Sequence, residues 1–227
     1  MTYQFDFSFL AQTWPAFLGG AWLTIKLTVV SIALGFMIGT VCAVLRVYVH
    51  PLIGRLVGAY VEIIRNTPLL VQIFIVYFGI ASLGWKLGAE TSAVIALVIN
   101  VGAYTTEIMR AGLESVPRTQ IEAGDCLGLN RLQVIGHVVL LPAIERVYPA
   151  LTSQFVLLML ASSITSQISA EELTAVANVI QSDTYRSFEV YVVVAVVYLL
   201  LSFIYRLCFW GLGLALFARR RRLGTAL

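Results

Sequence analysis

The chain reads as an all-α membrane protein with five transmembrane helices, amino terminus outside and carboxyl terminus in the cytoplasm. Composition, the length of the apolar runs and the placement of basic residues carry that reading. Of the 227 residues 59% are hydrophobic and the mean hydropathy is +0.90, so the chain could not face water without large unburied apolar area. A membrane helix needs roughly 20 mostly apolar residues to cross about 30 Å of hydrocarbon, because every backbone amide must be satisfied inside the segment. Strands of a membrane barrel would read as short alternating runs, whereas the runs here are long and continuous.

Taken in order, residues 1–20 contain Asp6 and no base before Lys26, so they lack the positively charged start of a signal peptide. They read as an interfacial lead-in whose rings, Phe5, Phe7, Phe9, Trp14 and then Trp22, suit the membrane surface. The five spans follow at about Ala21–Val44, Leu56–Ile80, Thr91–Met109, Val147–Thr165 and Val190–Phe217, the second interrupted by Arg65-Asn66-Thr67-Pro68. Arg46 and Arg55 sit between spans one and two. Arg110, Arg118, Arg131 and Arg146 lie in or beside the loop between three and four, and Arg219 to Arg222 follow span five. The opposite loops offer only Lys86 and Arg186. Basic loops stay cytoplasmic, which fixes the orientation and places residues 117–142 in the cytoplasm. A net charge of +3 therefore reports topology and a lipid environment rather than a nucleic-acid partner. Cys42, Cys126 and Cys208 show no disulfide or metal spacing. One membrane domain spanning 1–227 is the simplest count.

The cytoplasmic stretch has helical signals of its own. Pro117 can start a helix, Gly128 interrupts it, and Leu132, Ile135 and Val139 recur at helical spacing until Pro142. Two short helices joined at a glycine would present a rigid knob to a partner's cleft; the alternative is an amphipathic loop resting on headgroups.

Sequence motifs sharpen the choice. Glu122-Ala123-Gly124-Asp125-Cys126-Leu127-Gly128, followed by Leu141-Pro142, resembles the EAA loop of ABC importer permeases, whose pattern is Glu-Ala-Ala, three residues, Gly and a later Leu-Pro. The stretch from Glu62 through Arg65-Asn66-Thr67-Pro68-Leu69-Leu70-Val71-Gln72 is similar to the E-x-x-R-G-T-P-L-L-V-Q signature of polar amino acid ABC permeases, the branch of glutamine, histidine and arginine importers. Ala103-Tyr104-Thr105-Thr106-Glu107-Ile108-Met109-Arg110-Ala111-Gly112 is similar to that branch's A-Y-x-A-E-x-x-R-G-G. The resemblance covers nearly the whole chain. It implies the type I importer (MetI-like) fold in the bacterial cytoplasmic (inner) membrane. It also implies a second permease subunit, paralogous or identical, two cytoplasmic ABC ATPase subunits and an extracytoplasmic amino-acid-binding protein. Glu122, Ala123, Gly124, Gly128 and Leu129 would then couple the spans to the ATPase.

This sequence departs from the pattern at several places. Gly124 replaces the second alanine of EAA, Asn66 replaces the glycine of R-G-T-P, and Thr119 stands where a glycine commonly precedes Gln120. Gly128 to Pro142 is also one residue longer than usual, which places a bulge or a shifted proline in the second short helix.

Two polar patches are candidates for the substrate path. In span two, Pro68 removes a backbone donor and frees carbonyls that a buried site can use. Glu62 and Arg65, three apart, can pair on one face. That pair either marks function or only neutralises itself near the headgroups. Arg65, Asn66, Thr67 and Gln72 are the path candidates here. Span four supplies Gln154, Ser162 and Ser163, whose alternative role is packing between helices. Relatives that carry cationic amino acids often place acids at the positions of Gln154 and Ala161, and both are uncharged here, so a neutral or acidic amino acid is expected unless a paralogous partner lines the site. No G-x-x-x-x-G-K-[ST] occurs, so the chain has no P-loop for ATP. No catalytic or metal-binding residue is expected, and ATP with Mg belongs to the partner ATPase. The function expected is the permease subunit of an ATP-driven polar amino acid importer. The alternatives are an ATP-independent secondary transporter and a membrane scaffold subunit.

Overall fold

Apolar runs of the expected length become helices in the computed structural model, which describes residues 5–217. The expected cytoplasmic bases Arg219 to Arg222, and the first four residues of the lead-in, lie outside the described residues. Eight helices follow one another: α1 Leu10–Tyr48, α2 Pro51–Arg65, α3 Leu69–Ser82, α4 Ala89–Glu114, α5 Arg118–Cys126, α6 Arg131–Ile168, α7 Leu173–Thr184 and α8 Ser187–Leu216. Four of them, α1, α4, α6 and α8, are long and apolar enough to cross a membrane, and the broken pair α2 and α3 makes a fifth if counted as one span.

Three boundaries differ from those read in the sequence. First, α1 starts at Leu10, inside the stretch expected as a lead-in, and passes through Pro15. At 39 residues and about 1.5 Å per residue it exceeds the thickness of a bilayer core. Neighbours hold it and the stretch before it: the Leu173 amide donates to Thr24 Oγ1 of α1 at 3.3 Å, and the amide of Asp6, ahead of the helix, donates to Glu189 at 3.2 Å.

Second, the single span expected over 56–80 is two helices. The chain cannot continue helically into Pro68, which has no N–H and crowds the residue before it. The carbonyls left over are not free, as the sequence suggested. The Asn66 amide and side-chain Nδ2 both donate to the Glu62 carbonyl, at 3.0 and 2.9 Å, and Thr67 Oγ1 donates to Ile63 O at 2.9 Å. Polar side chains just past a helix end satisfy it locally.

Third, the helix after Gly128 does not stop at Pro142. It runs for 38 residues, with a π turn over Val134–Val139 just before the proline. A π turn accommodates one extra residue without ending a helix, and it widens the backbone where the proline ring would otherwise meet the carbonyl four residues back. Of the two accommodations expected for the Gly128–Pro142 spacing, a bulge or a shifted proline, the π turn is a bulge.

Chain contacts divide the described residues into two compact units, residues 5–32, 69–97 and 156–206 in unit one, and 33–68, 98–155 and 207–217 in unit two. Unit one centres on Leu27, Ile73, Ala93, Ala96, Ile168 and Ala170. Ala93 and Ala96 in that set let the backbone of α4 be approached closely, as membrane helices require when no hydrophobic effect drives them together. In unit two the Phe155 ring meets Phe36 edge-on and Phe209 at a tilt, with centroids 6.2 and 5.6 Å away. Tyr148 there donates to the Phe209 carbonyl at 2.5 Å.

Candidate functional site: a capped turn and a charged cavity

The turn between α5 and α6 is built by two end motifs in series. At the end of α5 the Leu129 amide donates to Gly124 O at 3.2 Å and the Gly128 amide to Asp125 O at 2.9 Å, the paired bonds of a Schellman cap. Its left-handed position is Gly128, with φ +73°, where a Cβ would be strained. Two residues later Asn130 caps α6: its side chain accepts from the Gln133 amide at 3.0 Å, and the Gln133 side chain accepts from the Asn130 amide at 2.9 Å. This capping box fixes the entry into α6. Leu127 and Leu132, at 80% and 82% exposure, stand out on either side of the turn, and Glu122 and Ala123 are exposed on α5.

Gly124 faces inward. A Cβ at that position would lie 3.2 Å from Val134 Cγ2 and 3.5 Å from Val138 Cγ2. Val134 opens the π turn. Gly124 and the π turn therefore meet at one contact, where an added methyl would press on Val134.

The path candidates fall in both units. Arg65, Asn66 and Thr67 are exposed in unit two and Gln154 is half-buried there. Gln72, at 6% exposure, is buried in unit one beside Ile73 of its core. Ser162 is buried in unit one and donates to Met159 O at 2.7 Å, while Ser163 donates to Leu160 O at 2.9 Å. These bonds, repeated by Thr165 and Ser166, accompany the tightening of α6 into a 3₁₀ turn over Ser162–Ile168.

The Glu62–Arg65 pair does not form. The Arg65 guanidinium instead lies over the Tyr104 ring, 5.3 Å from its centroid, a cation–π contact. Both residues line a cavity of about 320 Å³ with Arg46, Val61, Asn66, Tyr104 and Glu107. Arg46 bonds Glu107 at 2.8 Å. Arg110 bonds Glu107 and, at 2.6 Å, Glu114. Glu107, Arg110 and Glu114 recur at i, i+3 and i+7 on α4, so this part of the network was readable as one charged helical face. Its link to Arg46 was not, since that residue is distant in sequence.

Sequence reasoning also passed over Glu172. This carboxylate is fully buried and caps α7, accepting from the Thr174 and Ala175 amides at 2.9 and 3.0 Å. Tyr198 of α8 and Thr24 of α1 donate to it at 2.8 and 3.5 Å. Burial pushes its carboxyl above the ordinary range, and the Thr174 amide bond opposes that shift. A glutamate just before an apolar run, at the place of a helix N-cap, was the available signal.

Residues 7–209 match the family of binding-protein-dependent transport system inner membrane components. The chain belongs to that family. The permease is 37% identical to the octopine transport system permease protein of Rhizobium radiobacter, over 96% of this chain and 92% of that one. It is 33% identical to the glutamine transport system permease protein of Escherichia coli (strain K12), over 88% and 93% of the two chains. Its fold superposes on an amino acid ABC transporter with histidines at a TM-score of 0.82, with 34% identity, covering 96% of this permease and 100% of that chain. The permease is the membrane component of an amino acid ABC importer and not itself an enzyme.

Proposed function

We propose that the permease forms half of the membrane path of an importer in the bacterial cytoplasmic membrane, with a second permease subunit, two cytoplasmic ATPases and an extracytoplasmic amino-acid-binding protein. Its amino terminus is outside and its carboxyl terminus inside, as the basic residues favour. Residues 117–142 are the coupling element, and Glu122, Ala123, Gly124, Gly128 and Leu129 build it. The loaded binding protein docks outside. ATP, held with Mg by the partner ATPases, draws them together, and the element passes that closure to the spans. The ATPase shifts the outward–inward equilibrium only as far as its ATP-bound state favours one conformation.

The observation that carries this reading is the doubly capped turn at Gly128 and Asn130 with Leu127 and Leu132 projecting from it. The Schellman cap and the capping box in series fix the angle between α5 and α6, which gives the turn the stiffness that a lever gripped by a partner needs. Arg65, Asn66, Thr67, Gln72, Gln154, Ser162 and Ser163 are assigned to the path. Uncharged Gln154 and Ala161 support a neutral or acidic amino acid, because a cation without a counter-ion is costly within a membrane.

Copurification and nucleotide dependence test the assembly together. The tagged permease should bring down an ABC ATPase and a second permease subunit, and proteoliposomes of the complex should take up amino acid only with binding protein outside and ATP on the ATPase side. Uptake by the isolated permease without nucleotide would replace this reading with secondary transport.

A further inference from the structure

The cavity at the end of α2 holds one charge of each sign that no other described residue pairs. Of its ionic residues, Arg46 and Glu107 bond each other at 2.8 Å, and Arg110 engages Glu107 as well. Glu62 has neither hydrogen bond nor ion pair from its carboxylate among the described residues. Among the described residues the Arg65 guanidinium makes only its stack on Tyr104. Opposite charges three residues apart on a helix ordinarily meet. Here the aromatic ring holds the guanidinium in its own position and leaves both charges lining one space.

We propose that this cavity is a zwitterion site, in which Arg65 binds the α-carboxylate of an amino acid and Glu62 its α-ammonium group. This rests on the reading of the chain as an amino acid permease and adds to it the groups that are recognised. The planar guanidinium suits a carboxylate, to which it presents paired donors, and the stack on Tyr104 orders it before a ligand arrives. Asn66 Nδ2, bonded to the Glu62 carbonyl at 2.9 Å, closes the end of the helix that carries both charges. The volume of about 320 Å³ lies at the small end of ligand pockets, the size for a single amino acid. Such a site reads what all α-amino acids share and leaves the side chain to other contacts.

The test uses the intact complex of permease subunits and ATPases in nanodiscs, without binding protein, and measures equilibrium binding of labelled glutamine. Two competitors each lack one charge: 4-aminobutanamide has no carboxylate and glutaramate has no ammonium group. Wild type should prefer glutamine to either by about tenfold or more, the scale of a charge-assisted hydrogen bond. Arg65→Gln should abolish the preference over 4-aminobutanamide and keep that over glutaramate; Glu62→Gln should do the reverse. Arg65→Lys, which keeps the charge, should retain much of the carboxylate preference and serves as the second variant if Arg65→Gln does not assemble. Variants that change both preferences alike, or neither, overturn the site, as does a wild type that binds no glutamine. ATP-driven uptake of an amino acid by wild type, with unaltered preferences in the variants, would remove this site and leave the transport function standing. Absence of uptake would remove the function itself.

Discussion

Glu172 ties three helices of unit one through one carboxylate, since it caps α7 and accepts from Thr24 of α1 and Tyr198 of α8. Burial raises its pKa above the ordinary 4.5. A carboxyl raised by folding binds its proton more tightly in the fold, so its favourable contribution is complete below about pH 4.5 and is lost as pH rises through the elevated folded value. Glu172→Gln imitates the protonated form and removes that dependence. The thermal midpoint of wild type should therefore fall relative to the variant as pH is raised through that window, measured by melting of the purified permease. A difference between the two midpoints that stays constant with pH would contradict the assignment. Charge placement at this scale was only partly legible. The sequence put Glu62 and Arg65 on one face, but the preference of Arg65 for the Tyr104 ring depends on a helix distant in sequence.

At the scale of elements, the turn at Gly128 was legible because glycine after a helix is a local signal, whereas the Asn130-x-x-Gln133 capping box, equally local, went unread. The continuation of α6 through Pro142 was not. A π turn has no residue signature, and only the spacing, one residue longer than the family pattern, hinted at it. Gly124→Ala restores the alanine of the EAA pattern and gains about 1 kcal/mol in helix propensity, yet should leave this element no more stable than wild type, since the new methyl presses on a filled contact. In the structure it would stand 3.2 Å from Val134 Cγ2. Val134→Ala in the same chain should relieve the contact and restore binding-protein-stimulated ATP hydrolysis. Equal activity of Gly124→Ala and wild type would show that the glycine is not matched to the π turn.

Across the whole molecule, the membrane class and the four long spans, with a fifth in the bent pair α2 and α3, followed from apolar runs too long for anything but helices. The division of α1, α4, α6 and α8 between two compact units did not, because no break in composition marks it. Coupling is a property of the assembled transporter, and the account rests on the claim that ATP acts through the turn between α5 and α6. Leu127→Asp together with Leu132→Asp puts two charges on that exposed surface without touching the caps at Gly128 and Asn130. The deciding measurement is binding-protein-stimulated ATP hydrolysis and amino acid uptake by the reconstituted complex carrying both changes. Both activities should fall by about tenfold or more, the loss expected when apolar anchors at the centre of an interface are removed, while the permease remains inserted in the membrane. Uptake and hydrolysis at wild-type rates would contradict the claim that this turn carries the coupling.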